Sequence, residues 1–192
     1  MILEGLVTTT ATDGSPHLSA MGPEVADARA FEHLVLKPFC DSQTARLLMD
    51  LPSGVFHLTD DVLLLARIVT GSLVEPPATR AATAVPGWIL EDACEAFEFR
   101  IAQADLSGPR ARLSANVVAT HRSRPFRGFN RAAHAVIEAA ILFTRVHLLG
   151  LTEVRRQLDG LQPLIDKTAG AREREAFTLI ATSCNEEARC QG

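Results

Sequence analysis

The sequence predicts an α+β protein, in which a β-rich part of the chain precedes an all-helical part. The first observation is a series of short β-branched or alternating segments, separated by turn residues, up to about residue 121. The second is a change of character at Asn130, because residues 131–149 contain no Gly or Pro and are rich in Ala, Leu and Ile. Strands and helices that are segregated along the chain favour an α+β fold over an alternating parallel sheet.

The β-rich part begins with a predicted hairpin. Residues 2–10 are β-branched and partly alternating, residues 12–15 supply turn chemistry, and residues 17–21 return to extended character. The same criteria predict further strands at residues 33–37, 55–58, 93–104 and 110–121. Residues 71–87 combine three prolines with small residues and are predicted to form a loop.

Short helices are predicted at residues 44–49, capped by Asp41 or Ser42, and from Val62 to about residue 70. The all-helical part is predicted to contain three helices. The first is at residues 131–149 and is capped by Asn130, and the others are at residues 152–166 and 171–188. We therefore divide the chain into a β-rich domain, residues 1–125, and a helical region, residues 126–192, which we expect to pack on the β-rich domain or on a partner subunit.

The predicted helix at residues 131–149 has one polar stripe, formed by Arg131, His134, Glu138 and Arg145. The rest of its surface is apolar, so we expect the helix to be largely buried. A buried Glu138 would need an arginine partner.

Composition excludes several classes of protein. The formal net charge is −4, from 19 basic and 23 acidic residues, and gives no general reason to bind nucleic acid. No apolar stretch is long enough for a membrane helix, so we expect no membrane association and a cytoplasmic location. The four cysteines are scattered and predict reduced thiols rather than disulfides or a metal site. Motifs for ATP hydrolysis, Rossmann-type nicotinamide binding and α/β-hydrolase chemistry are missing.

Five motifs occur in a fixed order between Met1 and about Arg145: EGLVTT at residues 4–9, SAMGP at 19–23, KPF at 37–39 with Ser42 and Thr44, FHLTDD at 56–61 and GFNRA at 128–132. In combination they resemble an uncharacterised family of flavin-reductase-like proteins with the FMN-binding split-barrel fold. The resemblance implies an FMN-binding barrel that forms a homodimer, with the flavin near the subunit interface. It implies no known reaction.

The first candidate site lies at the start of the helix at residues 44–49. An FMN phosphate needs amides, hydroxyls and positive charge, and a helix N-terminus presents unpaired amides. Ser42, Gln43 and Thr44 lie at such a terminus, and Lys37 supplies a cation. Similar proteins place a strand-end basic residue and a Ser/Thr pair on the phosphate. The alternative is that Ser42 only caps the helix and Lys37 is solvated.

The second candidate site is the strand at residues 17–21. The isoalloxazine ring needs an apolar wall together with hydroxyl or backbone groups. His17, Ser19, Ala20 and Met21 fit this description, and Gly22 would allow close approach of the backbone. The alternative is an ordinary hairpin strand that enters a Gly-Pro turn.

A third candidate is the arginine-rich segment at residues 122–131, which ends in Arg131. It can meet a phosphate or an acidic substrate, or it can serve as a hinge before the long helix. His57 with Asp60 and Asp61 is better explained as a strand residue followed by a helix cap than as a metal site.

The function expected from these sites is that of an FMN-dependent oxidoreductase with an unidentified substrate. A split-barrel flavoprotein can accept a nicotinamide, or another small-molecule redox partner, directly on the flavin. Two alternatives remain: a non-catalytic flavin carrier, and a flavin-free barrel that serves assembly.

Overall fold

A computed structural model describes residues 1–27 and 31–190, with side chains up to residue 186. The chain divides into two compact units. The β unit comprises residues 1–59 and 77–126, and the helical unit comprises residues 60–76 and the chain from residue 127. The segment at residues 60–76 thus belongs with the helices, although it lies within the β-rich part of the sequence. The predicted boundary near residue 125 stays a prediction.

The β unit contains one antiparallel sheet with the strand order β2-β1-β4-β7-β8-β3. Its strands are β1 (Leu6–Thr10), β2 (Pro16–Ala20), β3 (His33–Leu36), β4 (Ser53–Leu58), β7 (Glu95–Asp105) and β8 (Arg112–Arg122). Between β2 and β3 the chain passes Glu24, which bridges to both Ile2 and Val35. These bridges link the two ends of the sheet, as expected for a split barrel. The predicted hairpin and strands are confirmed.

The core of the β unit lies on one face of this sheet. Val7, Phe56, Phe97 and Phe99 are buried there. Leu48 of the short helix α1 (Gln43–Asp50) belongs to the same cluster, so α1 packs on this face. We call it the α1 face.

One strand within the predicted loop and one directly after it form a second, two-stranded sheet: β5 (Thr79–Ala81) pairs with β6 (Trp88–Leu90). The prediction of a loop at residues 71–87 missed β5, because three-residue strands among prolines carry no readable alternation. Glu98, on the sheet face opposite the core, is fully buried beside the segment that joins β5 to β6. We call this second face the hairpin face.

The helical unit consists of α2 (Val62–Val69), α3 (Arg131–Phe143), α4 (Val146–Leu149), α5 (Leu151–Thr168) and α6 (Ala171–Cys190). Asp61 and Asn130 cap α2 and α3 through their side chains, as predicted. The predicted helix at residues 131–149 is broken near Thr144, whose hydroxyl donates to the Ile141 carbonyl at 2.9 Å. Such back-bonding competes with regular helix geometry.

The expected burial of the polar stripe on α3 was wrong: Arg131, His134, Glu138 and Arg145 are all exposed. The opposite, alanine-rich side of α3 is buried and packs on α2, α5 and α6. The apolar surface of α3 is therefore covered within the helical unit. It gives no reason to expect a second subunit.

Candidate functional site

The β1–β2 hairpin brings several polar residues to the α1 face. In the antiparallel register Thr9 is opposite His17, and Val7 is opposite Ser19. Directly opposite residues project from the same face of a sheet. Because Val7 belongs to the core cluster, Thr9, His17 and Ser19 all lie on the α1 face.

The N-terminus of α1 meets this hairpin at His17. The Nε2 atom of His17 lies 3.2 Å from the hydroxyl of Thr44, the second residue of α1. Thr44 is buried and His17 is half-buried, and this burial lowers the pKa of His17. Two segments that the sequence analysis treated as separate candidates are thus in direct contact.

Ser42 is the N-cap of α1. Its hydroxyl accepts from the Ala45 amide at 3.2 Å and donates to the Phe39 carbonyl at 2.7 Å. The first amides of a helix have no acceptor within the helix, and the cap satisfies only that of Ala45. The amides of Gln43 and Thr44 are therefore placed to receive an anion. Gln43 itself is exposed.

Lys37 follows the end of β3 and forms an ion pair with Glu24. Glu24 also lies 3.4 Å from Arg112, and the hydrogen bond from Lys37 is the main reason that the pKa of Glu24 is lowered. Arg110 donates to the Lys37 carbonyl at 3.1 Å. The lysine charge is thus shared with a carboxylate, whereas the sequence analysis treated it as available to a phosphate.

Two hydroxyls on the α1 face lack partners. The Oγ1 of Thr9 and the Oγ of Ser19 are buried and have no hydrogen bond within the described part of the chain. A buried hydroxyl without a partner is unfavourable by about 1–3 kcal/mol. A ligand or a water molecule that hydrogen-bonds these groups would remove that cost, so this site fits a polar, hydroxyl-bearing ligand.

Strand alternation divides the predicted ring-binding strand between two faces. Ala20 is opposite Leu6 and lies on the hairpin face, away from Ser19. Met21 packs on the edge of the core. At Gly22 an added Cβ would lie 2.6 Å from Ile2, so its small size serves packing within the chain. The sequence analysis assigned it to the approach of a ligand.

Arg131 is exposed at the start of α3 and belongs to the helical unit, unlike the other candidates. Within the arginine-rich segment, Arg124 donates to Asp92 at 3.0 Å, and Arg122 lies 3.7 Å from Glu95. These ion pairs support a structural part for the segment. A ligand contact of Arg131 stays a prediction.

Thr9 is a residue of this site that was not predicted from the sequence. Its signal was present, because a hairpin with a turn at residues 12–15 places Thr9 close to His17. In the described residues no group of three His, Cys, Asp or Glu side chains could hold a metal ion. Nor is any described helix long and apolar enough to cross a membrane.

Comparisons with known proteins agree with this architecture. No curated protein matches the sequence. Among solved structures, an FMN-bound protein of family DUF447 from Methanosarcina mazei superposes with a TM-score of 0.82 at 18% identity, over 95% of this chain and 94% of that chain. The flavin reductase of styrene monooxygenase from Pseudomonas putida superposes with a TM-score of 0.55 at 13% identity, over 63% of this chain and 81% of that chain. An FMN-binding protein from Thermus thermophilus superposes with a TM-score of 0.55 at 14% identity, over 66% of this chain and 75% of that chain.

These similarities confirm the predicted fold class, a flavin-reductase-like split barrel with C-terminal helices. The sequence itself matches both parts of one family, described as proteins of unknown function. Residues 3–124 match its N-terminal domain and residues 130–182 match its C-terminal domain. The chain belongs to the DUF447 family.

Proposed function

We propose that this protein is an FMN-binding flavoprotein whose flavin lies on the α1 face. The observation that carries the proposal is the contact between His17 and Thr44. It joins a hairpin, in which the Thr9 and Ser19 hydroxyls have no hydrogen bond among the described residues, to the N-terminus of α1, whose first amides have no acceptor within the helix. FMN combines an anionic phosphate, a hydroxylated chain and a planar ring. The FMN-bound Methanosarcina mazei protein of the same fold and family supports this choice of ligand.

The phosphate would lie at the start of α1, against the Gln43 and Thr44 amides and beside the capping Ser42. The rest of the flavin would extend along β2 past His17 and Ser19. Lys37 would contribute only after its ion pair with Glu24 is rearranged. Bound FMN would supply hydride or electron transfer, while these residues bind and orient it.

We propose an oxidoreductase, with a nicotinamide or another small molecule as the redox partner, over a flavin carrier. The flavin-reductase fold of the neighbours supports this preference. Anaerobic addition of NADH or NADPH to the FMN-loaded protein tests it. Bleaching of the flavin absorbance supports a reductase, and unchanged absorbance supports a carrier.

We also propose a homodimer in the cytoplasm. Support for the dimer comes from β2, an edge strand that pairs only with β1 in the described sheet and whose residues are all partly exposed. A second copy that covers this edge would shield the flavin beside it. Sedimentation should report a dimer at micromolar concentration, and a monomer with intact FMN binding would overturn this arrangement.

The test of FMN binding uses variants at the cap of α1. Ser42→Ala together with Thr44→Ala should weaken FMN by at least about tenfold and riboflavin much less, because only FMN carries the phosphate. Ser42→Asp is the matched control: aspartate still caps the helix but places a carboxylate beside the phosphate. It should weaken FMN binding and leave the melting temperature unchanged.

Equal losses of affinity for FMN and for riboflavin would show that the start of α1 is not the phosphate site. Purified wild-type protein that neither carries flavin absorbance nor binds added FMN would reject the function. The flavin-free barrel would then be the better description.

A further inference from the structure

We propose that His17 is a proton-dependent ligand of the flavin phosphate, so that this residue makes the site prefer FMN over riboflavin as the pH falls. The inference rests on the proposed function and deepens it. The sequence analysis placed His17 with the isoalloxazine ring. The structure places its imidazole instead against Thr44, at the end of the site where the phosphate would lie.

The position of His17 allows it to act as a ligand of the phosphate in either protonation state. Its Nε2 contacts a hydroxyl that can either donate or accept, so the contact is compatible with both neutral and protonated imidazole. The side chain is half-buried rather than enclosed, so a ligand at the start of α1 can reach it. A single rotation of the Thr44 hydroxyl would adapt the contact to either state.

The other candidate cation is already engaged. Lys37 forms an ion pair with Glu24, and Glu24 also faces Arg112. A phosphate drawn to Lys37 would compete with that carboxylate. No carboxylate contributes to the pKa shift of His17, because burial alone lowers this pKa.

The groups packed around His17 are mostly uncharged. Thr9 faces it from β1, Thr44 faces it from α1, and Ser19 follows on its own strand. The charged residue nearest to His17 along the chain is Asp13, which is exposed and whose carboxylate accepts from the Ser15 amide and hydroxyl. Beside Thr44 lie Asp41 and Arg46, both exposed, and the Arg46 guanidinium donates to the Asp41 carbonyl at 2.6 Å. A phosphate dianion would therefore be the dominant charge that His17 meets.

The direction of the effect follows from linkage. Burial keeps the pKa of His17 below its ordinary value in the free protein, and a bound phosphate raises it by stabilising the imidazolium. FMN binding then takes up a proton. The FMN affinity relative to riboflavin rises as the pH falls through the bound-state pKa, by about tenfold for each unit by which the phosphate raises that pKa.

The experiment measures FMN and riboflavin affinities of the wild-type protein, His17→Gln and His17→Arg between about pH 8 and pH 6. Glutamine places a nitrogen near the position of Nε2 but does not titrate, and arginine carries a fixed charge. We expect the FMN-to-riboflavin ratio to rise about tenfold toward pH 6 in the wild type, relative to His17→Gln. His17→Arg should keep the preference for FMN and show only the pH dependence that remains in His17→Gln.

Two controls isolate the effect. The phosphate itself titrates near pH 6, but this contribution is the same in His17→Gln and cancels in the comparison. His33→Gln removes another histidine, on β3, whose Nδ1 lies 2.9 Å from the Asn116 side chain. It should leave the pH dependence unchanged. Calorimetry of FMN binding in two buffers of different ionisation enthalpy should show a greater proton uptake in the wild type than in His17→Gln, in which only the phosphate contributes.

The outcomes are distinguishable. If the wild type binds no flavin, the proposed function fails. If it binds FMN but the ratio has the same pH dependence in His17→Gln, only the inference fails. If His17→Gln weakens FMN and riboflavin equally, His17 contacts the ring or the ribityl chain, and the inference is overturned in favour of the expectation from the sequence.

Discussion

Thr8 and Thr9 are neighbours on β1, yet they face two regions of opposite character. On the hairpin face, the Thr8 hydroxyl donates to the Trp88 carbonyl at 2.5 Å. On the α1 face, the hydroxyl of Thr9 is buried without a hydrogen bond among the described residues. The hairpin face uses its polar groups to hold the β unit together, whereas the α1 face has two buried hydroxyls, those of Thr9 and Ser19, without a hydrogen bond among the described residues.

Glu98 is the clearest case of a structural polar group on the hairpin face. Its carboxylate accepts from the Thr83 amide at 2.7 Å, the Ala84 amide at 2.6 Å and the Val85 amide at 2.9 Å, and lies 2.6 Å from His121. Burial would raise the pKa of Glu98, but the hydrogen bonds outweigh it and lower the pKa to about 2. The carboxylate thus anchors the segment that joins β5 to β6.

His57 occupies the same face and is also fully paired. Its Nε2 accepts from the Leu90 amide at 3.0 Å, and its Nδ1 lies 3.3 Å from the Leu6 carbonyl. One nitrogen must accept and the other donate, so the imidazole is neutral. Burial lowers the pKa of His57 to about 4. These contacts explain His57 without a metal or a catalytic step.

The largest expected effect comes from Glu98→Gln. The amide nitrogen of glutamine would face backbone amides that now donate to an oxygen, so unfolding should become easier by about 3 kcal/mol or more. Glu95→Gln on the same strand is the matched control and should cost less than about 1 kcal/mol, because its ion pair with Arg122 is exposed. Urea unfolding measures both. Similar small losses would mean that Glu98 does not hold the hairpin face.

The next largest effect is the pH dependence from His57. A folded pKa of about 4 against an unfolded value of 6.5 means that the unfolded chain binds the extra proton between these values. Stability is full above pH 6.5 and falls by roughly 3 kcal/mol as the pH drops to about 4. Protonation of Glu98 lowers the stability at a lower pH, between its ordinary pKa of 4.5 and its folded pKa of about 2.

Urea unfolding of the wild type and His57→Gln at several pH values checks this order. The variant is less stable at neutral pH, but its stability should change much less between pH 6.5 and pH 4. A parallel decline in both proteins would assign the acid sensitivity to another group.

The smallest effect separates the two threonines directly. Thr8→Val removes a hydrogen bond and should lower the free energy of unfolding by about 1 kcal/mol. Thr9→Val replaces an unpartnered hydroxyl by a methyl group of similar size, so the flavin-free protein should be as stable or more stable. Thermal melts of both variants without flavin measure the difference. An equal loss in Thr9→Val would show that its hydroxyl has a partner such as an ordered water, and the contrast between the faces would fail.

The sequence by itself determined the local features of this protein. Alternation and turn residues predicted the β1–β2 hairpin, and capping side chains predicted the starts of α2 at Asp61 and α3 at Asn130. For α1 they offered Asp41 or Ser42, of which the structure has Ser42. Hydrogen bonds within a few residues decide these features, so a local pattern is sufficient to predict them. The sequence also predicted that the strands precede the long helices, because the local residue pattern of each segment is sufficient to distinguish them.

Only the tertiary structure decided which polar groups are partnered. Glu98 alternates with Phe97 and Phe99 as a residue on the polar face of a strand would, but the segment that joins β5 to β6 buries it. Lys37 was predicted as a cation for the phosphate, but the fold places Glu24 beside it. His17 and Thr44 are 27 positions apart, and their contact depends on how α1 packs against the sheet. Contacts between distant segments are set by packing of the whole unit, which the residues around each position do not encode.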